Sequence, residues 1–205
     1  PRISALISAI GVSFLMANLG LVIFGGRPKT FYRPPIFQTP IELGGVRVVA
    51  LFFVIPLLTA ILLVALNYIV YKTKTGLAMR AAQWDFDTAR LMGVDVDRAI
   101  SLTFAIGSAL AAVGGIMWGL RFAEINPNMG LFPGLKCFIA AVFGGIGNIG
   151  GAVLGGFILG FGEIMLVAFL PGLAGYRDAF AFIVLILILL VRPTGLLGDK
   201  QRVKV

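Results

Sequence analysis

Runs of about 20 apolar residues, separated by clusters of charge, proline and glycine, constrain this chain more than any other feature. A helix needs roughly 20 mainly apolar residues to cross about 30 Å of hydrocarbon. Five such runs are clear and a sixth is short; their predicted bounds are residues 3–24, 48–71, 99–120, 131–147, 152–170 and 179–191. The sequence therefore predicts an all-α, polytopic bundle of about six spanning helices in a single transmembrane domain, 1–205.

The lengths of the last three runs need separate arguments. Residues 131–170 are nearly all apolar and too many for one helix, and the glycine-rich stretch 144–151 predicts where that helix breaks. The run 179–191 is only about 20 Å long at roughly 1.5 Å per residue. We expect this run either to be shielded by neighbouring helices or to extend beyond these bounds.

Composition limits the kinds of function open to the chain. Hydrophobic residues make up 59% of its 205 positions and charged residues 13%, whereas an average soluble domain has roughly 25% charged residues. The charges behind the net +8 fall between the apolar runs, so we expect membrane lipid, and no nucleic acid, as their partner. With no histidine and a single Cys137, neither a metal site nor an internal disulfide is expected.

The distribution of positive charge predicts an orientation, because Lys and Arg are retained on the cytoplasmic side. The loop 72–98 and the C-terminus, with Arg192, Lys200, Arg202 and Lys204, are assigned to the cytoplasm, and the proline-rich loop 25–47 to the outside. The chain opens at Pro1 without an initiator Met or a secretory signal, so we expect an upstream part to be missing.

The loop 72–98 carries the signals of a short cytoplasmic helix. Asp85 is a suitable N-cap for a helix over 86–92, Gly93 is a suitable left-handed C-cap, and Asp95 or Asp97 can cap the third span. Asp87 and Arg90 lie three apart and can pair on that helix. The pattern fits a rigid helix that enters a partner protein, and it also fits an ordinary interfacial loop.

Two ionisable residues and several glycines lie within the apolar runs. Lys136 can reach the headgroups, whereas Glu163 either faces a polar cavity or pairs with a polar group on a neighbouring helix. Glycines four apart allow close helix packing, and they occur at 115/119, 147/151, 151/155 and 156/160. The crowding of glycine over 144–151 favours a broken helix beside a substrate path.

Several separated stretches resemble the LivH-type branched-chain amino-acid permease family, in the same order and at matching spacing. They are residues 76–82 (GLAMRAA), 89–93 (ARLMG), 126–130 (NPNMG), 134–138 (GLKCF), 140–147 (AAVFGGIG) and 192–198 (RPTGLLG). The likeness extends over nearly the whole chain.

This resemblance implies a permease subunit of the inner membrane that imports leucine, isoleucine or valine. It implies as partners a second, LivM-like permease subunit, two cytoplasmic ATPase subunits and an extracytoplasmic binding protein. ATP would be bound by the ATPase subunits, and this chain would bind no cofactor. The resemblance assigns ATPase coupling to Arg80, Ala81, Ala82, Ala89 and Gly93. It assigns the translocation path to Gly134, Lys136, Gly144, Gly145, Gly147 and Glu163.

Three other functions are compatible with parts of the pattern. A urea or short-amide permease of the same superfamily would share the motifs. An ion-coupled secondary transporter needs intramembrane acids or histidines, and only Glu163 qualifies. A structural or assembly protein of the membrane would explain the glycine pairs, though not the capped cytoplasmic helix.

Overall fold

The computed structural model describes residues 2–37, 39–43, 46–145, 147–192 and 194–198. The chain divides into two compact units, Pro1–Pro127 and Asn128–Val205. Of the residues used above, Pro1, Ile146 and Pro193 lie outside the described residues, as do Lys200, Arg202 and Lys204 of the charge argument.

The first unit consists of three long helices, two short ones and small strand pairs. The helices are α1 (Arg2–Phe24), α2 (Leu51–Lys72), α3 (Lys74–Trp84), α4 (Phe86–Leu91) and α5 (Val96–Phe122). The strands are β1 (Lys29–Thr30), β2 (Pro40–Leu43), β3 (Val46–Val49) and β4 (Glu124–Ile125), and a 3-10 turn covers Pro35–Phe37. Strand β1 pairs antiparallel with β4, and β2 pairs antiparallel with β3.

The β1–β4 pair ties the loop after α1 to the end of α5. Ala123, in a left-handed conformation (φ 57°), ends α5, and its carbonyl accepts a 2.9 Å hydrogen bond from the Phe31 amide. The Phe31 ring then packs against Gly119, where an added Cβ would lie 3.3 Å from the ring. The Arg33 side chain donates to the Arg121 carbonyl, so the loop lies directly on the end of the helix.

The second unit is a three-helix arrangement. Its helices are α6 (Leu131–Gly144), α7 (Ile149–Phe169) and α8 (Arg177–Val191), with a 3-10 turn over Pro171–Tyr176. Helices α6 and α7 pack antiparallel, because Gly144 meets Gly151 and Ala140 meets Gly155. The buried residues Ile139, Leu159 and Ala181 contribute one side chain from each helix to the core.

The predicted spans agree with the helices except in two places. Five segments of the described chain are long and apolar enough to cross a membrane: Ile7–Phe24, Leu51–Lys72, Val96–Phe122, Ile149–Phe169 and Pro171–Val191. The run 179–191 is therefore extended at its start by the 3-10 turn. The short apolar helix is instead α6, whose 14 residues span about 21 Å. Exposed apolar side chains cover the long helices, as expected of a polytopic membrane protein.

Candidate functional site

The segment that follows α2, residues 73–98, folds as two capped helices and the first residues of α5, and we call it the coupling segment after its predicted role. The Thr73 hydroxyl accepts from the Gly76 amide at the start of α3. Asp85 caps α4 by accepting from the amides of Asp87 (3.0 Å) and Thr88. Gly93 takes a left-handed conformation (φ 81°) after α4, and Asp95 accepts from the Arg98 amide to cap α5. The predicted caps at Asp85 and Gly93 are confirmed, and Asp95 rather than Asp97 caps the third span.

Small side chains hold the coupling segment together. Ala82, Ala89, Val96 and Ala99 form a buried cluster, and Ala81 packs against it. Gly76 is also buried, and a Cβ there would strike the carbonyl oxygens of Ile69 and Val70 at the end of α2. Among its exposed side chains, three are large and apolar: Trp84 is 82% exposed, Leu91 88% and Met92 80%.

The predicted coupling residues therefore have different positions in the segment. The alanines form its interior, whereas the exposed Trp84, Leu91 and Met92 were not singled out from the sequence. A signal was present for Leu91 and Met92, because both fall in the short capped helix predicted over 86–92, where large apolar residues have little reason to face water unless they meet a partner. Alanine positions 82 and 89 thus shape the surface that these side chains present.

The charged residues of the coupling segment contact each other and an aromatic ring. The Arg80 guanidinium lies 5.3 Å from the centre of the Tyr71 ring, and its Nε is buried without a hydrogen-bond partner among the described residues. Arg90 donates to Asp97 at 3.3 Å, so it pairs with the first turn of α5 and not with Asp87 as predicted. This ion pair connects α4 to α5.

An ion triad of Lys136, Glu163 and Asp178 joins all three helices of the second unit. Lys136 Nζ lies 2.9 Å from Glu163 Oε1 and 2.9 Å from Asp178 Oδ1. The Glu163 side chain is 17% exposed, Lys136 32% and Asp178 49%. Of the two predicted roles for Glu163, the structure shows pairing with a polar group on a neighbouring helix. Lys136 pairs within the unit, where the sequence had suggested that it reaches the headgroups.

The connection between α6 and α7 brings backbones into close approach, and we call its described residues, Gly144, Gly145, Gly147 and Asn148, the glycine turn. A Cβ on Gly144 would strike the Gly151 carbonyl, and one on Gly155 would strike the Ala140 carbonyl. Gly145 has φ 112°, a conformation that L residues rarely adopt, and this angle ends α6. The predicted helix break is therefore present.

The segment 194–198 lies on the glycine turn. The amides of Leu196 and Leu197 donate to the carbonyls of Phe143 and Gly144, both at 2.9 Å. Asn148 Nδ2 donates to the Leu197 carbonyl at 3.1 Å, while its Oδ1 accepts from the Gly151 amide at the start of α7. A side chain on Gly145 would collide with the backbone of this segment. The sequence motifs that contain these glycines thus meet in space.

The predicted path residues fall into two groups, one around the ion triad and the other at the glycine turn that ends α6. Lys136 and Glu163 touch in the ion triad. Gly144 and Gly145 are buried in the glycine turn, and Gly147 is exposed there. Gly144 lies eight residues after Lys136 on α6, a distance of about 12 Å along the helix axis. Gly134 lies near the triad end of α6 with open space beside its Cα. Asp178 and Asn148 were missed, since only the fold brings them to these positions.

Comparison with known proteins adds a family and several relatives. The model of the family described as "Branched-chain amino acid transport system / permease component" matches residues 1–189. The high-affinity branched-chain amino acid transport system permease protein LivH of Escherichia coli (strain K12) is 40% identical over 209 residues, covering 100% of this chain and 67% of the relative.

Two further relatives are a second branched-chain amino acid permease and a permease named for another import system. The high-affinity branched-chain amino acid transport system permease protein BraD of Pseudomonas aeruginosa is 37% identical over 211 residues, covering 100% of this chain and 67% of the relative. The autoinducer 2 import system permease protein LsrC of Yersinia pestis (strain Pestoides F) is 29% identical over 194 residues, with 90% and 53% covered. No solved structure matches the chain.

Proposed function

Because the chain belongs to the family of branched-chain amino acid transport system permease components, we propose that it is the membrane-spanning subunit of an ATP-driven importer of leucine, isoleucine and valine. The observation that carries this proposal is the 40% identity to the Escherichia coli permease over the whole chain. The relative named for autoinducer 2 import is 29% identical, so the likeness favours amino acids as the cargo.

The coupling segment is the part of the chain that we assign to the ATPase. Trp84, Leu91 and Met92 are exposed apolar side chains at the ends of two capped helices, and this apolar surface fits a hydrophobic groove in a partner. The alanine cluster connects this surface rigidly to α5 through Val96 and Ala99. Arg80, Ala81, Ala82, Ala89 and Gly93 thus act by setting the shape and position of the segment. Closure of the ATPase dimer would move it as one body.

The translocation path is proposed to involve the ion triad and the glycine turn. An amino acid carries one ammonium and one carboxylate, and the triad contains charge partners for both. Asp178 and Lys136 are the more exposed members of the triad, so they can exchange their contact with each other for contacts with the ammonium and the carboxylate of the amino acid. The glycine turn, with Gly144, Gly145 and Gly147, interrupts the helix between α6 and α7, and these two helices can change their packing about it. Gly134 has no side chain, so it leaves open space on α6 near the triad. We propose alternating access as the mechanism.

The remaining parts of the proposal concern partners and orientation. A second permease subunit, two ATPase subunits and an extracytoplasmic binding protein complete the importer, and ATP is bound and hydrolysed on the ATPase subunits. Both units belong to one transmembrane domain in the inner membrane, with the coupling segment and the C-terminus in the cytoplasm, as the distribution of Lys and Arg favours.

Uptake in cells that lack their own branched-chain system tests the choice of cargo. The full-length chain is expressed with its ATPase, second permease and binding protein, and labelled leucine is supplied. Competition by isoleucine and valine, and not by urea or short amides, is the expected result. Uptake of urea or acetamide in place of leucine would agree with the proposed importer but would contradict the proposed cargo.

A variant of the coupling segment tests the assignment to the ATPase. Arg80→Glu with Gly93→Pro changes the charge beside Tyr71 and the turn after α4. We expect the assembled importer to lose transport-coupled ATP hydrolysis while the chain still inserts in the membrane. Intact coupling in this variant would show that another part of the chain meets the ATPase.

A further inference from the structure

A groove of about 440 Å³ runs between α2 and α5 in the first unit. Arg121 is the charged residue of its otherwise apolar lining, which includes Phe52, Ile55, Gly114, Trp118 and Phe122. Both helices are long and apolar enough to cross a membrane. A groove between two such helices can open to the hydrocarbon of a membrane, and its volume lies in the range of roughly 300–1,000 Å³ that is usual for small-molecule sites.

The groove has a polar end at the level of the lipid headgroups. Arg121 is in the last turn of α5 and Phe52 is in the first turn of α2, so both helices leave the hydrocarbon beside the guanidinium. Trp118, about one turn before Arg121 on α5, also lines the groove. Arginine and tryptophan are the residues that favour this interfacial level of a membrane.

The Arg121 guanidinium is held in place by aromatic rings. It lies 5.1 Å from the centre of the Phe52 ring and 5.7 Å from that of Phe122. None of the ion pairs between described residues includes Arg121. Ring contacts of this kind do not use the N–H donors of a guanidinium, which match phosphate oxygens in geometry.

We propose that this groove is a binding site for an anionic phospholipid, with an acyl chain between α2 and α5 and the phosphate on Arg121. The apolar walls match the chain and the single cation matches the headgroup charge. An amino acid would fit poorly, because no carboxylate lines the groove to receive its ammonium. The proposal does not depend on what the importer carries.

Quenching of Trp118 fluorescence by brominated acyl chains tests the site directly. The full-length chain, with every other tryptophan including Trp84 replaced by phenylalanine, is placed in vesicles that contain brominated phosphatidylglycerol or brominated phosphatidylcholine. A cation near the membrane surface contributes roughly 1 kcal/mol toward an anionic lipid, so half-quenching should need about fivefold less phosphatidylglycerol. Equal quenching by the two lipids would overturn the proposal.

Three variants identify the residues responsible. Arg121→Gln should remove the preference for phosphatidylglycerol, whereas Arg47→Gln, which changes an exposed arginine paired with Glu42, should leave it intact. Gly114→Leu adds a side chain to the lining of the groove at a position where nothing lies within 4 Å of an added Cβ, and should weaken quenching by both lipids. A preference that survives Arg121→Gln, or quenching unaffected by Gly114→Leu, would place the lipid elsewhere. Weak quenching of the unchanged site by both lipids would show that another part of the full-length chain fills the groove, and would also overturn the proposal.

Discussion

Glu163 on α7 pairs with Lys136 on α6, with 2.9 Å between Oε1 and Nζ. Neither helix has another charged residue in its described part, so each charge supplies the partner that the other needs in apolar surroundings. Asp178 on α8 completes the arrangement from the third helix. The pair thus fixes the register of α6 against α7 at the end far from the glycine turn.

The first prediction concerns the stability of this triad. Lys136→Met leaves two carboxylates without their cation and should lower the free energy of unfolding in detergent by about 1–3 kcal/mol. Glu163→Gln should cost less, because Lys136 keeps Asp178 and the amide oxygen can still accept. Arg47→Met, which breaks an exposed ion pair, serves as the control and should cost less than about 1 kcal/mol. Equal losses in all three variants would contradict the structural role of the triad.

The second prediction concerns two glycines on the same helix. Gly144→Ala drives a methyl group into the Gly151 carbonyl, so α6 and α7 must separate, and thermal stability should fall sharply. Gly134→Ala meets open space on α6 and should leave the melting temperature unchanged or slightly raised. Thermal unfolding of the two purified variants distinguishes them. Similar melting temperatures would show that α6 and α7 do not pack through Gly144.

Local signals made much of this fold predictable. The helix Arg2–Phe24 and the caps at Asp85 and Gly93 follow from apolar length, a carboxylate before a helix and a glycine after it. The helix Lys74–Trp84 was not predicted, although Thr73 before it is a good N-cap. Its composition is neither strongly apolar nor strongly periodic.

Contacts between distant parts of the chain could not be predicted. Asn148 and Leu197 are 49 positions apart, and Asp178 reaches Lys136 only because α8 packs beside α6. Neither pairing leaves a pattern in one sequence. The path residues were predicted as one group because one sequence does not show which of them meet in space. The structure divides them between the ion triad and the glycine turn.

The third prediction concerns the cap of α4. Asp85→Ala removes the acceptor for the Asp87 and Thr88 amides and should cost about 0.5–2 kcal/mol of local stability. Hydrogen exchange at these two amides should accelerate correspondingly. Gln83→Ala changes an exposed position on α3 and should leave both rates unchanged. Unaltered exchange in Asp85→Ala would mean that packing alone holds α4.

The fourth prediction concerns the contact between the glycine turn and the segment 194–198. Asn148→Ala removes both the cap of α7 and the hydrogen bond to Leu197. Faster hydrogen exchange at Leu196 and Leu197 and easier proteolysis after residue 192 are expected. Asn67→Ala, which loses only a bond to its own helix at Leu63, is the matched control. Protection equal to that of the unchanged chain would show that the backbone bonds suffice.

The central claim is that this chain is the membrane-spanning part of an ATP-driven importer. The most direct measurement is accumulation of labelled leucine in proteoliposomes that contain the full-length chain, its second permease and its ATPase, with the binding protein added. We expect accumulation only when ATP is supplied to the ATPase side, with inhibition by isoleucine and valine. Accumulation driven by an ion gradient without the ATPase would contradict it.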